Sequence, residues 1–167
     1  MEGLAFGHLA YPQGPAWWSN EERIIWKMAS DLVSAYRATD YVAFNGSRAF
    51  LVRIGHHSLL VDALLARMKA TSGAFITAWN PFSKSQSAGA NACRDRELKS
   101  YLSAQGFAFL VGEGRGQIGE WPAEPSILAL GMSRARAAFI GRRFRQNAIV
   151  YVPLGRPAEL IMLRWLG

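Results

Sequence analysis

Amide and guanidinium side chains follow an apolar run, residues 73–79, and recur near the C-terminal end of the chain. Amides read the edge of a base or a carboxylate, and a guanidinium pairs with an anion. These side chains therefore predict a pocket for an anionic ligand, a nucleotide or RNA, formed by Asn80, Asn91, Arg94, Gln146 and Asn147.

Carboxylates flank a tryptophan in a predicted glycine-rich loop, residues 112–124. Glu113 and Glu124 are candidate catalytic residues, because a carboxylate desolvated beside Trp121 can act as a general acid or base. Trp121 is also a candidate ligand contact. The glycines do not form a phosphate loop of known type, since the Gly-Lys-Ser/Thr ending is missing. The alternative is a mobile hairpin tip with the tryptophan as a lid.

Asn91 and Arg94 fall on a predicted helix, residues 87–104. A step of 100° per residue places Asn91 on the same stripe as Leu98, with Arg94 close beside it. The buried stripe thus begins with polar groups, which need partners because burying them unpaired costs free energy. The alternative is structural: the asparagines cap the strand-to-helix turn, and Arg94 neutralises a loop carbonyl or Asp95.

Two N-terminal elements are marked by local signals. Ser19 and Glu22 have the spacing of a capping box and predict a helix that begins at residue 20. Asn45-Gly46, between two apolar runs, favours the positive φ angles of a type I′ hairpin. Residues 1–18 are rich in Gly, Pro and Trp and are predicted to form an extended arm.

The rest of the chain alternates apolar runs with helical periodicity. A helix over residues 58–70 places Leu60, Leu64 and Met68 on one face. From residue 73 to residue 153 the order is β-α-β-β-α-β, the split βαβ arrangement of ferredoxin-like folds. Because these strands are apolar on both faces, we expect the N-terminal helix, the hairpin or both to cover the second face. The prediction is one α+β domain, residues 19–167, a mixed αβ sandwich with a ferredoxin-like core.

This topology also predicts where the candidate side chains meet. The carboxyl ends of strands 73–79 and 126–130 and the start of strand 148–152 are expected at one edge of the sheet, where helix N-termini favour ligands. Ser133 is predicted to join the amides and Arg94 there. The glycine-rich loop is expected at the opposite edge, so the two groups of side chains form separate sites unless the loop folds back.

Charge is distributed unevenly along the chain. The net charge is +7, of which residues 1–80 contribute +1 (seven Lys/Arg, six Asp/Glu) and residues 81–167 contribute +6 (twelve and six). A helix over residues 133–145 carries five arginines on two flanks. This pattern favours RNA, DNA, nucleotides or an acidic protein as partner, and a solvated helix face is the alternative.

Other classes of site and location are disfavoured. His56-His57 has no third ligand at metal-binding spacing, and Cys93 is the single cysteine, so neither a metal nor a cofactor is predicted. No signal peptide is recognisable, and no apolar stretch approaches the ~20 residues that span a bilayer. We expect a cytoplasmic protein, and its oligomeric state is left open.

One group of motifs resembles a known family. Thr77-Ala78-Trp79-Asn80-Pro81, Gly112-Glu113-Gly114 and Phe144 with Gln146-Asn147-Ala148 occur in this order, with Asn91, Arg94, Trp121 and Glu124 between them. They resemble an uncharacterised bacterial family, a domain of unknown function, over residues 32–152. The resemblance implies a typical bacterial cytosolic domain and no known activity.

Three functions are compatible with these observations. The leading hypothesis is a domain that binds an anionic ligand at the polar edge of its sheet. The second is a small enzyme that acts on a nucleotide-like metabolite, with Arg94 holding the anion. The third is a protein-interaction module, in which the N-terminal arm and the basic helix contact an acidic partner.

Overall fold

The computed structural model describes residues 17–117 and 122–164. In this part of the chain a mixed α+β fold is built from the following elements, in order: α1 (Asn20–Arg37), β1 (Thr39–Asn45), β2 (Arg48–Val52), α2 (Leu59–Arg67), β3 (Ser72–Ile76), a 3-10 turn (Pro81–Ser83), α3 (Ala88–Ala104), β4 (Phe109–Gly116), β5 (Glu124–Leu130), α4 (Arg134–Arg143), β6 (Ala148–Pro153) and β7 (Glu159–Met162).

All seven described strands form one antiparallel sheet with the order β2-β1-β4-β5-β3-β6-β7. The predicted hairpin is confirmed, and β1 joins it to the rest of the sheet by pairing with β4. The turn differs from the expected type I′. Asn45 pairs with Arg48, so Gly46 and Ser47 form the loop, and Gly46 alone of these four residues has a positive φ angle.

The two ends of the sheet approach each other. Ile54, just after β2, forms a parallel bridge with Ala158, just before β7. The Gly55 amide donates to the Ala158 carbonyl at 2.8 Å, and the Ala158 amide donates to the His56 carbonyl at 3.1 Å. The sheet is therefore curled, with an inner face and an outer face.

The two faces bury separate cores. On the outer face, α3 and α4 pack against β3, β5 and β6 through residues such as Leu98, Ile140 and Ile127. On the inner face, α2 packs Val61, Leu64 and Leu65 against the sheet. This burial corrects the predicted stripe of α2, because Leu60 is 69% exposed and Met68 is 38% exposed. Sequence periodicity alone could not fix the phase, since Leu59 and Leu60 offer a second apolar face.

α1 begins as predicted and lies over the inner face at the end that α2 leaves open. Ser19 and Glu22 form the capping box reciprocally, with the Ser19 amide donating to the Glu22 carboxylate at 2.6 Å. The Ser19 hydrogen bonds hold the pKa of Glu22 below its usual value. No residue of α1 is fully buried. No described helix is both long and apolar enough to cross a membrane.

The register corrects the predicted edge of the sheet. Ile76, at the end of β3, pairs with Ile127 near the start of β5, and Gly73 pairs with Leu130 at its end. The end of β3 therefore meets the start of β5 and the start of β6, and Ser133 lies at the opposite edge. The prediction was wrong because neighbouring strands here are antiparallel, so their carboxyl ends alternate between the two edges.

Candidate functional site

The loop that follows β3 is held by reciprocal hydrogen bonds between two asparagines. The backbone N–H of Asn80 donates to Oδ1 of Asn91 at 2.9 Å, and Nδ2 of Asn91 donates to the side-chain Oδ1 of Asn80 at 2.9 Å. Oδ1 of Asn80 also accepts from the Gln86 amide at 3.1 Å. Asn80 is in the left-handed conformation, with φ 44°, which asparagine adopts more readily than most residues.

The other two predicted amides fix the same loop. Nε2 of Gln146 donates to the Trp79 carbonyl at 3.3 Å, and Nδ2 of Asn147 donates to the Ser83 hydroxyl at 2.9 Å. Each of the four amides therefore has a hydrogen-bond partner within the protein, and none requires a ligand to complete its pairing. Their predicted role as ligand contacts stays a prediction.

The loop stores backbone strain. Besides Asn80, Phe82 has a φ angle of 55° and Ser83 one of 58°. Each such residue costs about 1–3 kcal/mol and persists when its surroundings hold it in place. The Phe82 amide donates to the Arg145 carbonyl at 2.7 Å, which ties this strained loop to the end of α4.

A cavity of about 880 Å³ lies between α1 and the inner face of the sheet, beside this loop. We call it the inner cavity. Its roof comes from α1 and the chain that follows it, and its walls come from β1, β3, β4, β5 and β6. Its lining residues include Tyr36, Tyr41, Phe75, Trp79, Asn80, Gly114, Glu124, Ser126 and Gln146.

Glycines at alternate positions of β4 form one side of the inner cavity. Residues 112–116 were predicted as loop, but they are paired with β1 on one side, and Gly112 and Gly114 also with β5 on the other. The side-chain period of two places Gly112, Gly114 and Gly116 on one face of the strand. A Cβ at Gly112 would lie 2.5 Å from the Val42 carbonyl oxygen, whereas one at Gly114 would lie 3.4 Å from Cγ2 of Thr39. Gly114 thus leaves space that a side chain would occupy.

Glu124 and Ser126 project from the same face of β5 into the inner cavity. Nδ2 of Asn80 donates to Oε1 of Glu124 at 2.7 Å. The two groups of candidate residues therefore meet, contrary to the prediction of opposite edges, because the β4–β5 connection lies at the edge where β3 ends. The Ser126 hydroxyl is buried, with 9% of the residue exposed, and has no hydrogen-bond partner among the described residues.

Two tyrosines line the inner cavity together with Glu124. Burial raises the pKa of Tyr36 to about 12, opposed by a hydrogen bond with Ser83 and assisted by the nearby Glu124 carboxylate. Burial likewise raises the pKa of Tyr41, whose hydroxyl donates to the Tyr36 carbonyl at 3.2 Å. Both phenols are therefore neutral at ordinary pH.

Several predicted residues do not line the inner cavity. Asn91 and Asn147 lie behind the loop that they hold. The side chain of Arg94 is half-buried on α3 and makes no hydrogen bond or ion pair with another described residue. Glu113 faces away from the cavity and pairs with Arg115. Trp121 lies outside the described residues.

The arginines of α4 are exposed, apart from the half-buried Arg136. Arg134 and Arg142 flank an open groove of about 720 Å³ between α4 and β7. Arg134 lies 3.4 Å from Glu159, and Arg142 donates to the Leu163 carbonyl. An anionic partner on this surface remains a prediction. Within residues 17–117 and 122–164, no three His, Cys, Asp or Glu side chains are grouped as metal ligands.

Sequence reasoning missed most of the inner cavity. Tyr36, on the predicted N-terminal helix, and Tyr41, in the predicted hairpin, were not among the candidate residues, and Ser126 was only the first residue of the predicted strand 126–130. One signal was present: glycine at every second position of residues 112–116 has the period of a strand and marks a face without side chains. The position of α1 over that face agrees with the expectation that the N-terminal helix covers the second face of the sheet, but no sequence signal indicated a cavity beneath it.

These features define a class of protein: a mixed α+β fold with a cavity on the inner face of a curled antiparallel sheet. Within it, residues 76–149 match the family model described as a protein of unknown function, DUF3293. This match confirms the family resemblance for the segment that contains Asn80, Asn91, Glu124 and Ser126. Comparisons with curated proteins and with solved structures found no match.

Proposed function

We propose that this protein binds a small organic molecule in the inner cavity. The observation that carries the proposal is the Ser126 hydroxyl, which is buried at the cavity wall without a partner among the described residues. A buried polar group left unpaired costs about 1–3 kcal/mol. A ligand that reaches this hydroxyl removes that cost.

The size and chemistry of the inner cavity support the proposal. Its volume of about 880 Å³ lies within the range of about 300–1,000 Å³ that is typical of small-molecule sites. Aromatic side chains, including Tyr36, Phe75 and Trp79, line it together with a few polar groups. Apolar walls with a few fixed polar groups are the usual composition of a ligand pocket.

The surrounding structure is preorganised. The Asn80–Asn91 pair and Gln146 hold the strained loop, and Asn80 in turn orients Glu124. Strained backbone clusters at binding sites more often than elsewhere. The amides predicted as ligand contacts thus take a supporting role in this proposal.

The proposal predicts that filling the space at Gly114 abolishes binding. Gly114→Val suits a strand, and its Cβ makes ordinary contacts, so the fold is expected to survive while the added methyl groups enter the inner cavity. A thermal-shift screen with small aromatic and polar compounds should give hits on the wild-type chain and none on Gly114→Val.

The matched control is Arg115→Val, the next residue of β4, whose side chain is exposed on the opposite face. This variant should keep the wild-type hits. Retention of the same hits by a folded Gly114→Val, verified by circular dichroism, would show that the compounds bind elsewhere and would contradict the proposal.

We further propose that β3, α3, β4, β5, α4 and β6 form a ferredoxin-like unit. The spatial order of these four strands, β4-β5-β3-β6, supports it, since the first and third strands of the unit lie in the centre. The hairpin β1–β2 and β7 then extend the unit on its two sides.

We also propose a cytoplasmic location. The single cysteine, Cys93, is exposed and unpaired, which suits a reducing compartment.

A further inference from the structure

We infer that the inner cavity takes a ligand with a cationic nitrogen head, such as an amidine or guanidine, on a flat apolar body. The head would lie against Glu124 and the body between the aromatic side chains. This inference rests on the proposed function and specifies its ligand class.

The charge of the cavity lining carries the inference. The described lining residues include two carboxylates, Asp31 and Glu124, and no Lys, Arg or His. Asp31 is exposed on α1 and already pairs with Lys27 at 2.8 Å. Glu124 is half-buried, and its one hydrogen bond among the described residues comes from the neutral Asn80. A partly buried carboxylate is stabilised by a counter-charge that the described lining does not supply.

The orientation of Glu124 fits a donor with two N–H groups. Oε1 accepts from Nδ2 of Asn80, and Asn80 is itself fixed by Asn91. Oε2 has no hydrogen bond among the described residues and remains available. Ser126, two residues along the same face of β5, offers a hydroxyl that can accept a further N–H.

The aromatic residues strengthen the preference for a cation. Tyr36, Tyr41, Phe75 and Trp79 line the inner cavity, and Tyr41 and Phe75 have ring centroids 5.6 Å apart. Ring faces attract cations, with Trp and Tyr the most effective. An anionic head would instead be repelled by the Glu124 carboxylate and by the negative faces of the aromatic rings. The cavity thus discriminates by charge as well as by shape.

Three probes of one shape and different charge test this inference. Benzamidine, benzamide and benzoate are titrated against the wild-type chain, Glu124→Gln and Glu113→Gln, with binding measured by isothermal calorimetry. Glutamine keeps an oxygen for Asn80 and removes the charge. Glu113→Gln is the matched control, because Glu113 faces away from the cavity.

Benzamidine is expected to bind the wild-type chain at least about tenfold more tightly than benzamide, because a tenfold ratio is the lower bound for the contribution of a charge-assisted hydrogen bond. Benzoate is expected to bind most weakly of the three probes. Glu124→Gln should remove this preference, and Glu113→Gln should keep it. These results together would support the inference.

The inference is overturned if benzamide or benzoate binds the wild-type chain as tightly as benzamidine, or if Glu124→Gln retains the preference. If benzamide, the uncharged probe, binds the wild-type chain and Gly114→Val abolishes this binding, the proposed function remains intact. Failure of all three probes also overturns the inference, while the broader screen on Gly114→Val decides the proposed function separately. The comparison on the wild-type chain stands even where a variant folds poorly.

Discussion

The reciprocal bond between Asn80 and Asn91 is the residue-level feature that organises the site. Asn91 is 2% exposed, and its amide both accepts from the Asn80 backbone and donates to the Asn80 side chain. Asn80 is thereby placed to donate to Glu124. One buried amide on α3 thus fixes a strained loop and, through it, a carboxylate of the inner cavity.

We predict that Asn91→Ala lowers the free energy of unfolding by about 2–4 kcal/mol. The substitution leaves the Asn80 backbone N–H without its partner, which costs about 1–3 kcal/mol. It also removes one of the two hydrogen bonds that Oδ1 of Asn80 accepts, which contributes about 1 kcal/mol. Urea denaturation measures the change. Ser100→Ala, an exposed position on the same helix, is the control and should change the stability by less than about 0.5 kcal/mol. A loss of similar size in both variants would contradict this role of Asn91.

At this scale the sequence indicated the residues but not their partners. Helical spacing predicted that Asn91 lies at the start of the buried stripe of α3, and it does. The structural alternative, in which Asn80 and Asn91 hold the strand-to-helix turn, matches the observed bonds. That Asn80 contacts Glu124, 44 residues away, could not be predicted, because it depends on the register of β3 against β5.

α1 is the element whose packing differs most from that of the other helices. α2, α3 and α4 each bury residues in one of the two cores, whereas α1 has none that is fully buried. Ile24 is 59% exposed and Met28 57% exposed. Few buried apolar contacts place a helix at the low end of local stability, which suits an element that covers a cavity.

We predict that the backbone amides of α1 exchange with deuterium faster than those of α3, and that a bound ligand slows exchange in α1. The first effect follows from the difference in burial, and the second from contacts that a ligand makes with the roof of the inner cavity. Hydrogen exchange followed by mass spectrometry measures both. Protection of α1 equal to that of α3 without ligand would contradict this assignment.

Helix and strand positions were largely predictable, and their packing was not. A capping box located the start of α1 at Ser19. The helices predicted over residues 87–104 and 133–145 begin at serines that act as N-caps, since Ser87 and Ser133 each accept a backbone hydrogen bond. The extension of β4 to Gly116 was missed, because glycine weakens strand propensity although its alternation fits a strand. The structure resolves this ambiguity through pairing of β4 with β1 and β5.

At the scale of the whole molecule, the curled sheet separates packing from binding. The outer face is filled by α3 and α4, and one end of the inner face is filled by α2. The other end of the inner face retains the cavity under α1. The uneven charge was visible in the sequence, but the arginines of α4 lie on the outer side and do not line the inner cavity. Composition alone therefore pointed to an anion, whereas the charged residues in the described cavity lining are two carboxylates, Asp31 and Glu124.

The most direct test of the inner cavity as a binding site is a methyl-resolved NMR titration of the whole chain with the strongest hit of the thermal-shift screen on the wild-type chain. Methyl signals of Met28, Ala35 and Val150, which line the inner cavity, should shift together and saturate at a single dissociation constant. Methyl signals of Leu98 and Ile140, in the core of the outer face, should stay unchanged. Shifts confined to the outer face, or unchanged signals at all three cavity residues, would contradict the central claim.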